Sequence, residues 1–244
     1  MKSLRSHQQD WEALGRVDPL WAVLTSPTRR HGGWNADEFF ATGVRDVAAL
    51  MTTVEALGVP KRRDDVLDFG CGVGRLTRSL AAHFGRCVGV DISAPMLAQA
   101  EELNRECDRC RFVLNATEDL RVFESASFDL VYTRYVLQHL PTRVMVRSYL
   151  SEFMRVLRPG GLLVFQLPNR IGLLHRLQPR RRLYGLLRAL GFGERMLLER
   201  LELTPMRMGF MDEGTVTRLM SDLGGRVLRV ERGSAVEHTY FVGR

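Results

Sequence analysis

The chain has 244 residues, 45% hydrophobic and 26% charged, which suits one substantial domain with an extension or insertion and argues against wholesale disorder. Its apolar runs are short and interrupted, none approaching the roughly 18–20 residues of a membrane-spanning helix, which excludes that class. The net charge of +7 rests on arginine, since Lys2 and Lys61 are the only lysines among 35 basic residues. That usage fits acidic substrates or membrane surfaces, or simply a GC-rich genome.

Residues 1–35 read as polar and irregular, with Trp11, Trp21 and Trp34 spaced through them and Asp18-Pro19, Ser26-Pro27 and Gly32-Gly33 as breakers. No continuous apolar stretch marks a leader there, so a cytoplasmic address is expected. From Asp37 to Leu57, apolar residues recur at three- and four-residue intervals, the pattern of an amphipathic helix stopped by Gly58 and Pro60. Residues 1–58 are therefore expected to form an amino-terminal cap on a main domain spanning 59–244.

Strands and helices then alternate. The pattern predicts strands at 65–69, 87–91, 111–115 and 128–133, with helices at 75–84 and 95–105. A helix over 142–157 is followed by Arg158-Pro159-Gly160-Gly161 and a strand at 161–167. Such repetition implies parallel strands joined by right-handed crossovers. Residues 169–204 are helical in flavour, rich in leucine and arginine, and too long for a plain connection. A helix at 212–223 and strands at 226–231 and 238–242 close the chain, with Gly233-Ser234 marking an antiparallel hairpin. The expected fold is α/β: a doubly wound, seven-stranded, mostly parallel Rossmann-like sheet with an antiparallel last strand, a helical cap and a lid-like insertion.

Four cysteines give no disulfide framework, and the isolated Cys107-x-x-Cys110 lacks the second pair of a structural zinc site. No metal is expected. The stretch V-L-D-F-G-C-G-V-G-R (Val66–Arg75) carries the strongest signal. A buried strand ends in an acid, and Gly70, Gly72 and Gly74 then let backbone approach a ligand at the strand's carboxyl end. A dinucleotide fingerprint would place its third glycine one residue later.

Three further segments join it: V-G-V-D-I-S-A-P-M-L-A-Q-A (Val88–Ala100), F-D-L-V-Y-T-R-Y-V-L-Q-H-L-P (Phe128–Pro141) and R-V-L-R-P-G-G-L-L-V-F (Arg155–Phe165). In order and spacing these resemble the motifs of class I S-adenosylmethionine-dependent methyltransferases, especially the group acting on small molecules, across about residues 60–167. The resemblance implies S-adenosyl-L-methionine as cofactor. Asp68 would hold its ammonium group, often through water, with Gly70, Cys71 and Gly72 in the loop against the methionine and ribose portions. Asp91 would accept both ribose hydroxyls, Ile92 and Met96 would pack on adenine, and Thr133 or Arg134 would line the methionine portion through backbone groups. Where the family commonly has an acid after the third strand, this chain has Asn115, followed by Ala116, Thr117 and Glu118. The Asn115 carbonyl still offers an acceptor, and Glu118 or Asp119 are alternatives.

Methyl transfer to a hydroxyl benefits from a base, and His139 is the foremost candidate, with Tyr135 and His31 behind it; a structural role at a helix start is the competing reading. His175 and His238 read as solvated or lid residues. The tetrapeptide of amino-group methylases and the acid cluster of magnesium-dependent catechol-type enzymes are both missing.

The amino-terminal tryptophans read as a flap over the cofactor, an anchor, or both. The insertion, with Arg170, Arg176, Arg180, Arg181, Arg182, Arg188, Arg195 and Arg200 among leucines from Leu173 to Leu201, reads as a lid, a dimer face or a dock for anionic membrane. Nucleic acid is not expected, because the basic residues are interleaved with leucine rather than base-stacking aromatics. The expected function is methylation of a small organic acceptor, at oxygen of a natural-product or sugar hydroxyl. The alternatives are a lipid or lipid-linked acceptor and a non-catalytic S-adenosylmethionine-binding regulator.

Overall fold

The computed structural model describes residues 4–233 and 237–244, except for the Leu174 side chain. Its centre is a sheet of strands β1 (Asp65–Phe69), β2 (Arg86–Asp91), β3 (Cys110–Leu114), β4 (Phe128–Thr133), β5 (Leu157–Pro168), β6 (Arg226–Arg232) and β7 (Glu237–Gly243). The order across the described sheet is β3-β2-β1-β4-β5-β7-β6. Strands β1 to β5 pair in parallel, and β7 runs antiparallel between β5 and β6. This is the expected doubly wound arrangement, with β1 and β4 meeting where the winding reverses.

Strand periodicity builds two cores from one sheet. Leu67, Phe69, Val131, Leu163 and Phe165 face one side, against helices α6 (Arg143–Val156) and α9 (Glu213–Asp222). Val66, Leu130, Tyr132, Leu162 and Val164 face the other, against α3 (Ala36–Leu57) and α4 (Arg75–Leu80). Helix α5 (Ala94–Leu103) starts with Ser93 capping Met96 N–H, and α6 starts with Thr142 capping Met145 N–H.

Two expectations are corrected. The irregular reading of residues 1–35 missed α1 (Leu4–Val17) and the short α2 (Pro19–Val23). Asp18-Pro19 separates these helices, with Asp18 Oδ1 accepting from Trp21 N–H, so the breaker sits at a boundary rather than preventing a helix. The second concerns β5, which begins at Leu157, directly after α6. Proline and glycine lie within its first turn, Gly160 has φ +75°, and the register against β4 slips between Phe128 and Leu130.

The insertion is helical, with α7 (Leu173–Leu177), α8 (Pro179–Ala189) and a wide turn at Met196–Arg200. Glycine 233 ends β6, while the Ser234 of the expected hairpin lies outside the described residues, as does the side chain of Leu174 in the leucine series. No helix among the described residues is long and apolar enough to cross a membrane.

Candidate active site

A cavity of about 710 Å³ opens at the carboxyl ends of β1, β2 and β4, a size common for small-molecule sites. The loop after β1 forms part of its wall. Gly70 and Gly72 have φ of +75° and +54°, and a Cβ at either would lie 2.3 Å from a side-chain atom, of Val136 and Val23 respectively. Both positions therefore need glycine on conformation and on space.

Asp91, the last residue of β2, lines the cavity beside this loop. Its Oδ2 accepts from Gly72 N–H at 2.9 Å and its Oδ1 from Ser93 N–H at 2.9 Å. These bonds fix the carboxylate while leaving lone pairs free, since an ionised carboxylate offers about four acceptor sites. Burial raises its pKa, and the two amide bonds only partly oppose that shift. Bare glycine backbone beside a held, desolvated carboxylate suits a ribose diol with an attached amino-acid tail, the fit expected of S-adenosylmethionine.

Of the other residues singled out in the sequence, Cys71, Ile92, Met96, Asn115, Arg134, Tyr135 and His139 line the same cavity. Asn115 accepts from Thr117 Oγ1 at 2.9 Å and donates to Asp119 O at 2.9 Å. Three residues stand apart from the cavity wall. Asp68 lies on the Val66 face of β1 and accepts from Thr77 Oγ1 of α4 at 2.6 Å; burial pushes its pKa up to about 6. Thr133 is buried with its hydroxyl unpartnered, and Ala116 is exposed outside the wall.

His139 follows β4 in a short turn, Leu137–His139. Its Nδ1 lies 2.5 Å from the Arg207 carbonyl, which makes that nitrogen the donor and Nε2 the acceptor. Gln138 Nε2 donates to that Nε2 at a long 3.4 Å, and the Trp11 ring packs edge-on at 5.5 Å. Desolvation pushes the His139 pKa down to about 4, so the ring is neutral throughout the physiological range. Tyr135 holds φ +60°, uncommon for an aromatic residue, and its N–H donates to Gln166 Oε1 at 3.0 Å.

Other expected histidines divide differently. His31 is exposed, 3.7 Å from Glu202 and outside the cavity. His175 is exposed at the cavity, as a lid residue would be. His238 corrects the solvated reading: it is 6% exposed and 3.1 Å from the Glu213 carboxylate.

The tryptophans split by role as well. Trp11 lines the cavity, whereas Trp21 is buried with its indole N–H donating to Ser26 O, and Trp34 donates to Leu24 O.

Sequence reasoning missed Gln166, whose amide sets the Tyr135 backbone. It also missed Asp46 of α3, which bridges Arg75 at 2.7 Å and Arg134 at 2.8 Å. An acid on an otherwise ordinary helix face carries no signal of such a partner. The four cysteines are all free thiols, and the described residues hold no group of three or more His, Cys, Asp or Glu side chains placed for a metal ion.

Residues 67–165 match the family described as "Methyltransferase domain". This core is a class I methyltransferase domain of the S-adenosylmethionine-dependent type.

A trans-aconitate 2-methyltransferase of Deinococcus radiodurans is 35% identical over 144 residues, 55% of this chain and 49% of that protein. A chloroplastic tocopherol O-methyltransferase of Arabidopsis thaliana is 31% identical over 167 residues, 63% of this chain and 47% of its own. The chain thus spans about half the length of these curated relatives. In fold, the methyltransferase domain and its flanks are similar to magnesium protoporphyrin IX methyltransferase from Synechocystis PCC 6803, solved with bound SAH. That likeness has a TM-score of 0.64 at 19% identity and covers 97% of both chains.

Proposed function

We propose that the chain is an S-adenosylmethionine-dependent methyltransferase of a small organic acceptor, acting at oxygen on a natural-product or sugar hydroxyl. One observation carries the reading: a single cavity is lined both by the glycine loop with Asp91 and by His139 and Tyr135. The relatives' names support the small-molecule class, including an aconitate and a tocopherol. When bound, S-adenosylmethionine supplies a methyl group activated by a sulfonium and transferred by in-line displacement.

The chain's own residues do the rest. Asp91 would grip the ribose diol, and Gly70 and Gly72 would admit the amino-acid tail. Ile92 and Met96 would flank the adenine, with the Asn115 carbonyl accepting at its edge. Arg134 lines the methionine end and is itself held by Asp46. Trp11 and the α2 segment shield the site from water, which strengthens its electrostatics. His139 Nε2, once its long bond from Gln138 Nε2 is exchanged for the acceptor's hydroxyl, takes that proton as the carbon–oxygen bond forms.

The test is titration with S-adenosylhomocysteine, followed by turnover. The native protein and His139→Ala should bind this ligand equally, with the variant losing about 10²- to 10⁴-fold in kcat. Native binding without turnover of any hydroxyl acceptor points to a regulator. Equal kcat in the variant removes His139 from the chemistry.

A second reading, a lipid-borne acceptor met at a membrane surface, is favoured by one specific feature. Eight of the twelve large apolar side chains left exposed among the described residues fall between Leu173 and Leu201, on and around α7 and α8 beside the cavity. Co-sedimentation with anionic vesicles that Leu186→Glu abolishes supports this reading. A concentration-dependent dimer lost in the same variant assigns the face to self-association instead.

A further inference from the structure

The cavity wall also contains an electrostatic imbalance that the methyl-transfer reading leaves unused. Arg181, in the first turn of α8, and Arg207, in the loop before α9, are both half-buried and both line the cavity. A guanidinium carries five donors. Arg181 uses one, through Nη1 to Gln178 Oε1 at a long 3.5 Å, and its Nε is buried with no partner. Arg207 uses Nη1 to Pro141 O at 3.0 Å.

Neither forms an ion pair among the described residues. The two cations oppose each other, and Arg182 adds to the positive field on Arg181. The one acid with an electrostatic influence on either, among the described residues, is Asp10, which also lies 3.7 Å from Arg188. Burial lowers the pKa of both guanidinium groups, the mark of cations taken from water without full compensation.

The start of α8 adds to the field. Arg180, Arg181 and Arg182 occupy its opening turn, which has no acid and no side-chain cap from Gln178. Cations there oppose the helix dipole, so an anion bound at this point relieves two unfavourable terms together. Buried unpaired charge is costly, and its persistence beside a cavity points to a partner that arrives with the ligand.

We infer that Arg181 and Arg207 form an oxyanion receptor, and that the acceptor carries a carboxylate or phosphate group bound between their guanidinium forks. This rests on the reading that the cavity holds the acceptor beside the cofactor. Trp11, Leu140, Met206 and Met208 supply apolar wall around the same space, so the acceptor has an apolar body attached to its anionic group. The receptor sets specificity, because a neutral analogue leaves the buried donors unpaired.

Binding calorimetry on protein saturated with S-adenosylhomocysteine tests the inference with four probes: 3-phenylpropanoate, 3-phenylpropanamide, phenyl phosphate and phenol. The native protein should bind at least one anion about 10- to 100-fold more tightly than its neutral partner, the range of charge-assisted hydrogen bonds. The better anion identifies the oxyanion class. Arg181→Gln and Arg207→Gln should each reduce that preference and the double variant should abolish it, with Arg207→Lys restoring part.

Affinity for S-adenosylhomocysteine should stay at the native value in these variants, and the circular-dichroism melting midpoint should not fall below it. Equal binding of anion and neutral partner overturns the receptor, as does a preference that survives the double variant. So does failure of both anions to bind at millimolar concentration. Failure of S-adenosylhomocysteine to bind the native protein removes the cofactor reading instead, a separate result.

Discussion

The two ends of the central sheet treat charge in opposite ways. At the amino end, Asp129 accepts from the Asp64 and Asp65 amides at 2.8 and 3.0 Å and from Arg158 at 2.9 Å. Arg158 also reaches Asp65 at 2.7 Å, and Arg86 reaches Asp65 at 2.6 Å, so side chains from β1, β2, β4 and β5 are laced together. Burial alone would raise the Asp129 pKa, but Arg158 and the two amides outweigh it and hold the group below the ordinary carboxylate range.

At the carboxyl end the balance reverses. Desolvation raises Asp91, pushes Asp68 up to about 6 and pushes His139 down to about 4. Charges compensated by the chain itself secure the fold; groups held away from their preferred charge state are candidates for ligand binding and chemistry.

The largest expected effect breaks the amino end. Asp129→Ala removes one of the two carboxylates on Arg158 and the acceptor of the Asp64 and Asp65 amides, and should cost about 3 kcal/mol in denaturant unfolding, with S-adenosylhomocysteine affinity unchanged in the folded fraction. Because the folded pKa of Asp129 is depressed, its contribution is present above the ordinary carboxylate range and disappears as pH falls through the folded value. Native and variant stabilities should therefore converge in acid. A parallel loss of cofactor-site affinity would merge the two ends into one unit.

Next is Asp91→Ala, which should weaken S-adenosylhomocysteine by about 100-fold in calorimetry, two charge-assisted hydrogen bonds being removed. Unchanged affinity would take the ribose role from this carboxylate.

Asp68→Asn should instead stabilise the free protein. The carboxyl has its folded pKa raised to about 6 from 3.8, so its ionisation opposes folding as pH rises through that interval. A gain of up to about 3 kcal/mol at pH 8, vanishing near pH 4, is the expectation, since about 1.4 kcal/mol accompanies each pKa unit. An equal gain at both pH values would assign the effect to packing.

The smallest effect is a displaced limb in the kcat/KM pH profile. With His139 down at about 4, the acid-side fall belongs near pH 4 rather than 6.5. For stability the depressed histidine has the same sign as Asp129: its contribution is full above pH 6.5 and is lost as pH falls toward 4.

The sheet and its loops were legible because strand and helix periods are local, and because Gly70, Gly72 and Asp91 meet requirements that few other residues satisfy. Helix α1 was not. Its inward face includes His7 and Asp10, both buried, so the expected apolar stripe is interrupted by polar residues, of which Asp10 lies beside Arg188 of α8. The cap and insertion were legible as a flap and a lid, but not by which of their residues reach the cavity. Trp11, Val23, Arg181 and Arg207 are far apart in sequence and share a wall only after folding. The place of Asp68 in the motif was plain, whereas its bond from Thr77 of α4 follows from strand alternation and needed the fold.

The space above Gly72 is taken by Val23, so the most recognisable loop of the domain is shaped by a segment outside the matched residues. A chimaera combining this core with another enzyme's leading helices would import a mismatched ceiling. Steric compatibility at that single point sets which amino-terminal segments can be exchanged, and engineers should vary positions 23 and 72 as one unit.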